Sequence, residues 1–370
     1  MKTIYDIFKA NRRLKKGLGE FGIEIETETK NASNYPADFF GDSFMKETVH
    51  GQKIYWQPRS IPEWYVTEDG SLRDFGREFV LKNPLDYGLA MSALESWGTA
   101  LKSVKFNKDA PATSVHVHMN VTEMTLIQLA NLLCLLIFFE NLLTEFSGDI
   151  RRSNTFARPI RCADTAVENF QSLISSLELG KREALKFNEQ HTKYGVINLA
   201  TIHTYGSVEI RCFRGTTDYV QIQDWLTILN RIYKFAKIPG LTPLAFYETY
   251  QDITTEIVDR VFGSDAPKLK CKNWKNWLER NEFYLADFAT LMTDWNSLGS
   301  RYEVEKPDTK LGKKLDQFLN EPTILAAPVY TQQPGFDPWN VAGAAGVVVV
   351  DEDIQLDTYP EPEDLDDSTF

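Results

Sequence analysis

At 370 residues, 43% hydrophobic, 25% charged and 12% aromatic, the chain has the composition of a soluble globular protein, with material for one large domain or two ordinary ones. Its formal net charge of −12 is concentrated at one end: residues 351–370 carry nine acids and no base, which leaves −3 on the other 350. That balance argues against a dominant nucleic-acid-binding surface.

The opening residues, MKTIYDIFKANRRLKK, read as a basic lead-in with no apolar signal segment. Cys134, Cys162, Cys212 and Cys271 show no paired metal-ligand spacing, so reduced thiols and a cytoplasmic setting are expected. The first strand is expected over 19–29. In it, Ile23 and Ile25 point one way and Glu24, Glu26 and Glu28 the other. Residues 31–63 suit a long loop or hairpin with a turn at His50-Gly51. WYVT reads as a strand running into an Asp69-Gly70 turn, and GREFVLK as another. Asn83 is the expected N-cap of a helix with Pro84 at its first position, ending near Val104. ATSVHVHMNV is a strand. Asn120 and Glu123 then predict a capping-box opening for a helix over 121–146. Its apolar run, Leu126 to Phe139, is about 14 residues against the ~20 that span a bilayer, so it predicts a buried helix.

Residues 150–193 read as an Arg-rich loop and a helix. YGVINLATIHTYGSVEIRCFR reads as two strands joined near Thr204–Gly206. Helical signals run from Tyr219 to Phe318, clearest over 219–238, 245–263 and 274–293. The remainder, 321–370, is expected to be a flexible or partner-bound acidic tail.

The predicted strands share one pattern. Val115, Val117 and Met119 oppose His116, His118 and Asn120. Phe79 and Leu81 oppose Glu78 and Val80, and Val208, Ile210 and Cys212 oppose Glu209 and Arg211. The fold class expected is α+β, a mainly antiparallel sheet with helices on its apolar face and a helical C-terminal part. A solvated face explains alternation on any one strand, and Glu209 with Arg211 could be a surface ion pair worth under ~1 kcal/mol. A merely wet face favours Thr, Lys and Ser, however, whereas this one gathers Glu24, Glu26, Glu28, Glu78, Glu209 and a His-x-His pair. Carboxylates crowded together repel unless cations compensate, and oxygen-rich sites with some imidazole suit Mg²⁺ or Mn²⁺.

In order along the chain, GIEIE, DGSL followed by GREFVL, HVHMN, and YGVINLATIHTYGSVEIRCFRGT resemble the amidoligase (COOH–NH2 ligase) family of the glutamine synthetase / glutamate–cysteine ligase superfamily. The resemblance covers residues 18–235. It implies a curved antiparallel sheet forming a catalytic funnel within a domain over 18–320 (sheet core 18–217, helical part 218–320), after a lead-in over 1–17. Glu24 and Glu26 match the metal-binding pair, Glu78 and Glu209 further metal carboxylates, and His116 an imidazole ligand. His118, Arg211 and Arg214 match nucleotide-contacting groups, with Glu78, His118 and Arg211 in catalytic roles. Two or three Mg²⁺ or Mn²⁺ ions and ATP are the cofactors implied. Arg151, Arg152 and Asn154, in RRSNTFARPIR with Arg158 and Arg161, match a loop suited to substrate carboxylates, with a solvated basic loop as the alternative.

The activity implied is ATP-dependent amide-bond formation through an acyl phosphate, joining a small-molecule or peptide carboxylate to an amine. No nucleic acid or membrane partner is expected, and the acidic tail is a candidate protein contact. No glycine-rich phosphate loop of the common kinds is present, and the metal-and-carboxylate route needs none. Glutamine synthetases carry a separate small β-domain and form rings. With about 17 residues before the first strand, neither feature carries over. A metal-dependent amide hydrolase and a non-catalytic assembly protein on the same fold are the alternatives.

Overall fold

The alternating segments become neighbouring strands of one sheet in the computed structural model, which describes residues 3–298 apart from 9–13, 15–16, 32–33, 49–50, 108–109, 149–194 and 254–255. The strands are β1 (Phe21–Thr27), β2 (Ser43–Thr48), β3 (Gly51–Trp56), β4 (Trp64–Thr67), β5 (Arg77–Leu81), β6 (Ser114–Asn120), β7 (Ile197–Asn198) and β8 (Ser207–Arg214). They lie in the order β2-β3-β4-β5-β1-β6-β8-β7, and each neighbouring pair is antiparallel. β2 and β3 form the hairpin expected within 31–63; His50 at its turn lies outside the described residues.

One face of this sheet is apolar. Ile23, Ile25, Phe79, Val115, Val117, Met119, Val208 and Ile210 are all buried. The helices are α1 (Ile4–Phe8), α2 (Tyr87–Ala100), α3 (Leu126–Phe138), α4 (Glu140–Phe146), α5 (Ala200–Tyr205), α6 (Tyr219–Ala236), α7 (Pro243–Ile253), α8 (Ile257–Phe262), α9 (Ala266–Leu269) and α10 (Trp274–Leu298). α2 packs against β1, α6 against β6 and α4 against β8, with α3 on α6 and α10 on α3 and α7. Polar tips of large side chains fix the layers together. Trp64 Nε1 donates to the Ala93 carbonyl at 3.1 Å and the Tyr233 hydroxyl to the Asn120 carbonyl at 2.8 Å. The architecture is therefore α+β, built on an antiparallel sheet.

Four local readings are corrected. α2 begins after Asp86 rather than Asn83, because Leu85 exchanges backbone hydrogen bonds with Phe21 (2.8 and 2.9 Å) and is thereby held extended. α3 begins after Thr125 rather than Asn120. Thr125 and Gln128 form the capping box, while the Asn120 side chain donates to the Gly19 carbonyl at 2.9 Å and accepts from the Thr122 hydroxyl at 2.8 Å. The apolar helix also breaks at Phe139, so that α3 and α4 meet at 59°. Finally, the chain does not turn directly from β7 into β8. Asn198 Oδ1 accepts from the Ala200 N–H at 3.0 Å, opening α5, which closes at Gly206 with a left-handed φ of 72°.

Among the described residues no single helix is long and apolar enough to cross a membrane. α3 is apolar on every side because it is buried on every side from Leu129 to Phe138. Residues 299–370, including the predicted tail, lie outside the description.

Candidate metal centre

The polar face follows from strand order. β1, β6 and β8 are adjacent, and their registers set Glu24 opposite His116 and His118 opposite Glu209; on the other side of β1, Glu26 stands opposite Glu78. The pairing of β6 with β8 skips from Val117↔Ile210 to Val115↔Phe213. Arg211 and Cys212 thus share the place facing His116, a bulge that re-aims this end of β8.

Distances show how tightly these groups meet. Glu24 Oε2 and Glu209 Oε1 each lie 3.3 Å from His116 Nδ1, and Glu24 Oε1 lies 3.3 Å from His118 Nε2. Donor atoms of Glu24, His118 and Glu209 all fall within 4.8 Å of one another. Arg211 Nη1 donates to Glu209 Oε1 at 2.5 Å, and Asn198 Nδ2 to Glu209 Oε2 at 2.7 Å. Ser114 Oγ lies 2.5 Å from Glu26 Oε2 and 2.6 Å from His116 Nε2, and Ser207 Oγ 3.1 Å from His118 Nδ1. Further out on the sheet, Lys53 of β3 reaches across β4 to Glu78 Oε2 on β5 at 2.7 Å.

The electrostatics follow from this crowding. Burial pushes the Glu24 carboxyl up, but the charge of His118 and the contacts with both imidazoles outweigh it and hold the group well below the usual carboxylate range. Glu209 is likewise lowered: burial opposes, and His118, Arg211 and His116 prevail. His118 is raised, because the attraction of Glu24 and Glu209 overcomes the effect of burial. Glu78 goes the other way, pushed up to about 7 by burial first and by repulsion from Glu24 second, with Lys53 opposing.

A divalent cation fits this donor set. Carboxylate oxygens and imidazole nitrogens from three strands converge, and the buried His118 Nε2 makes no hydrogen bond while facing Glu24 Oε1. An acceptor cluster of this kind is stable only with cationic company, which His118, with its raised proton affinity, and Arg211 supply in part.

Of the residues singled out in the sequence, Glu24, His116, His118, Glu209 and Arg211 come together, and His118 stands beside Glu24 and Glu209 as closely as His116 does. Glu26 contacts the cluster through Ser114, and Glu78 is held by Lys53. Glu28, the last of the three alternating glutamates, is buried and accepts from the Arg73 N–H at 2.8 Å, fixing the 68–75 loop. Arg214 is placed elsewhere: Nη1 donates to the Ser147 carbonyl at 3.1 Å and Nη2 to Gln221, joining β8 to α4 and α6. Arg151, Arg152, Asn154, Arg158 and Arg161 lie outside the described residues.

Four participants escape the sequence reading: Ser114, Asn198, Ser207 and Lys53. Alternation already places Ser114 on the His116 face. Asn198 reaches Glu209 from the short strand β7, ahead of the helical turn at Ala200. Lys53 is brought in by hairpin register, which composition does not reveal.

The family model described as "putative amidoligase enzyme" matches residues 19–233, the span that supplies every strand of the sheet. A search of curated proteins gave no match. The matched span covers more than half of the chain and contains the whole carboxylate–imidazole cluster, and the chain belongs to the amidoligase family of ligases.

Proposed function

We propose that the protein is an ATP- and Mg²⁺-dependent carboxylate–amine ligase acting through an acyl phosphate. The observation that carries this reading is the convergence of Glu24, His116, His118 and Glu209 on one sheet face, with Arg211 fixed against Glu209. Glu24, Glu209 and the two imidazoles would hold a divalent ion, and Glu78 would serve a second. Bound ions would neutralise the triphosphate, which otherwise repels an anionic substrate.

The protein groups have distinct tasks. Arg211, one N–H anchored on Glu209 and a fifth of its side chain exposed, presents a planar cation to phosphoryl oxygens. Glu209, itself held by Asn198, keeps it in place. The substrate carboxylate attacks the γ-phosphorus of ATP, releasing ADP. The amine then attacks the acyl carbon, phosphate departs with the bonding pair, and the nitrogen loses a proton. Arg151, Arg152 and Asn154 are proposed to bind the substrate carboxylate, and the acidic run over 351–370 to contact a protein partner. A cytoplasmic setting, rich in ATP and Mg²⁺, suits this chemistry.

The test is ADP formation from Mg·ATP across pools of amino acids, peptides and polyamines, beside a Glu24→Gln, Glu209→Gln double variant. ADP release that depends on the pool and disappears in the variant is expected. Silence in every pool, together with no Mg·ATP binding by calorimetry, would overturn the reading; metal-dependent cleavage of amides in the same pools would put a hydrolase in its place.

A further inference from the structure

The neighbours of His116 determine which of its ring nitrogens carries hydrogen. The Ser114 hydroxyl donates to Glu26 Oε2 at 2.5 Å, and a hydroxyl has one proton to give. Its oxygen lies 2.6 Å from His116 Nε2 and must accept there, so Nε2 is the N–H nitrogen. Nδ1 then sits 3.3 Å from Glu24 Oε2 and 3.3 Å from Glu209 Oε1. A bare lone pair facing two carboxylate oxygens is repelled by both. The position is tenable when a cation, either a proton or a metal ion, occupies it.

We propose that Ser114 is a positioning residue: through the buried relay Glu26–Ser114–His116 it fixes the Nε2–H form of the imidazole and aims Nδ1, as donor atom, at a divalent cation shared with Glu24 and Glu209. Glu26 Oε2 is thereby the acceptor that orients Ser114. All three relay residues are buried, Ser114 at 3% exposure, so water does not compete for these bonds. Imidazole ligands generally donate their second nitrogen to a carboxylate or another acceptor, which locks the ring; here a hydroxyl stands between ring and carboxylate. The cation in this inference rests on the ligase reading, whereas the proton arrangement does not.

The test is ¹⁵N NMR of the full chain labelled at histidine, which has only five such residues, recorded with and without Mg²⁺. The wild type should show hydrogen on Nε2 of His116, and Mg²⁺ should shift its Nδ1 resonance. Ser114→Ala should lose the Nε2–H preference and weaken Mn²⁺ binding, read by electron paramagnetic resonance, about tenfold or more. Ser114→Thr, which keeps the hydroxyl, should retain the preference and most of the affinity. A wild-type ring bare at Nε2 would overturn the proposal without any variant having to fold. So would a Ser114→Ala protein that keeps both tautomer and affinity. Failure of the wild type to bind Mn²⁺ would overturn the donor role together with the metal reading, and an intact Nε2–H form would separate that failure from failure of the relay.

Discussion

Glu209 is a buried carboxylate tolerated because both of its oxygens accept hydrogen bonds, Oε1 from Arg211 and Oε2 from Asn198. A hydrogen bond to a charged group contributes about 1.5–3 kcal/mol, and leaving such a group short of partners costs as much. Asn198→Ala should therefore lower the stability of the metal-free protein by roughly that amount, seen as a lower urea midpoint at unchanged slope. Asn198→Asp, nearly isosteric, removes the donor and sets a like charge beside Glu209. It should cost more than alanine without metal, and added Mg²⁺ should reverse the order. Glu78 governs pH dependence. Its folded carboxyl titrates at about 7, above the ordinary carboxylate range, so its contribution to stability is present below that range and lost as pH rises through about 7. Metal requires the ionised form, so the sign for binding is opposite. Between pH 6 and pH 8 the ionised share rises from about a tenth to about nine tenths, and Mg²⁺ affinity by calorimetry should rise about tenfold. The raised His118 must also release its proton and acts in the same direction. Glu78→Gln should shrink the change, and an equally steep profile in that variant would exclude Glu78 from the centre.

The α3 cap shows what a helix start needs beyond a suitable residue pair. Thr125 Oγ1 accepts from the Gln128 N–H at 3.2 Å and Gln128 Oε1 from the Thr125 N–H at 3.0 Å. Thr125→Ala should destabilise the protein by about 1 kcal/mol, measured by denaturant titration, while Asn120→Ala should not act as a cap variant but loosen the start of β1 through Leu18 and Gly19. Gly206→Ala should cost at least about 1 kcal/mol. Its φ of 72° disfavours a side chain, and a Cβ there would overlap Thr122 Cγ2. Its loss of thermal stability should exceed that of Thr125→Ala. These cases also show where sequence reading stops. Period-two alternation marked β1, β5, β6 and β8 with their faces, because a strand buried on one side has little freedom in which residues it turns inward. The starts of α2 and α3 were misread because Leu85 and Asn120 are bound by partners distant in sequence, Phe21 and Gly19. Lys53 and Asn198 were not legible as site residues for the same reason: each reaches its carboxylate through pairing that local pattern does not encode.

Across the whole molecule, one face of the sheet is dedicated to the hydrophobic core and the other concentrates Glu24, Glu26, Glu78 and Glu209 against Lys53, Arg211 and two imidazoles. The core face supplies stability that does not depend on ligands, and its side chains leave the strands little room to relax. The acidic face therefore keeps its carboxylates close together whether or not a cation joins them. Such a face is preorganised, and binding energy should appear as added stability of the whole fold. A ligand that binds only the native state raises stability by about 2.7 kcal/mol at a concentration one hundred times its dissociation constant. Mn²⁺ or Mg²⁺ at that excess should raise the melting temperature by several degrees, with EDTA reversing the shift. The Glu24→Gln, Glu209→Gln variant should melt at one temperature with and without the ion, since two of the three closest donors lose their charge. Ser114→Thr should still respond. A wild-type melting temperature indifferent to divalent ions would show that protons and Lys53 already compensate the acidic face, and that the carboxylates are arranged for some purpose other than holding metal.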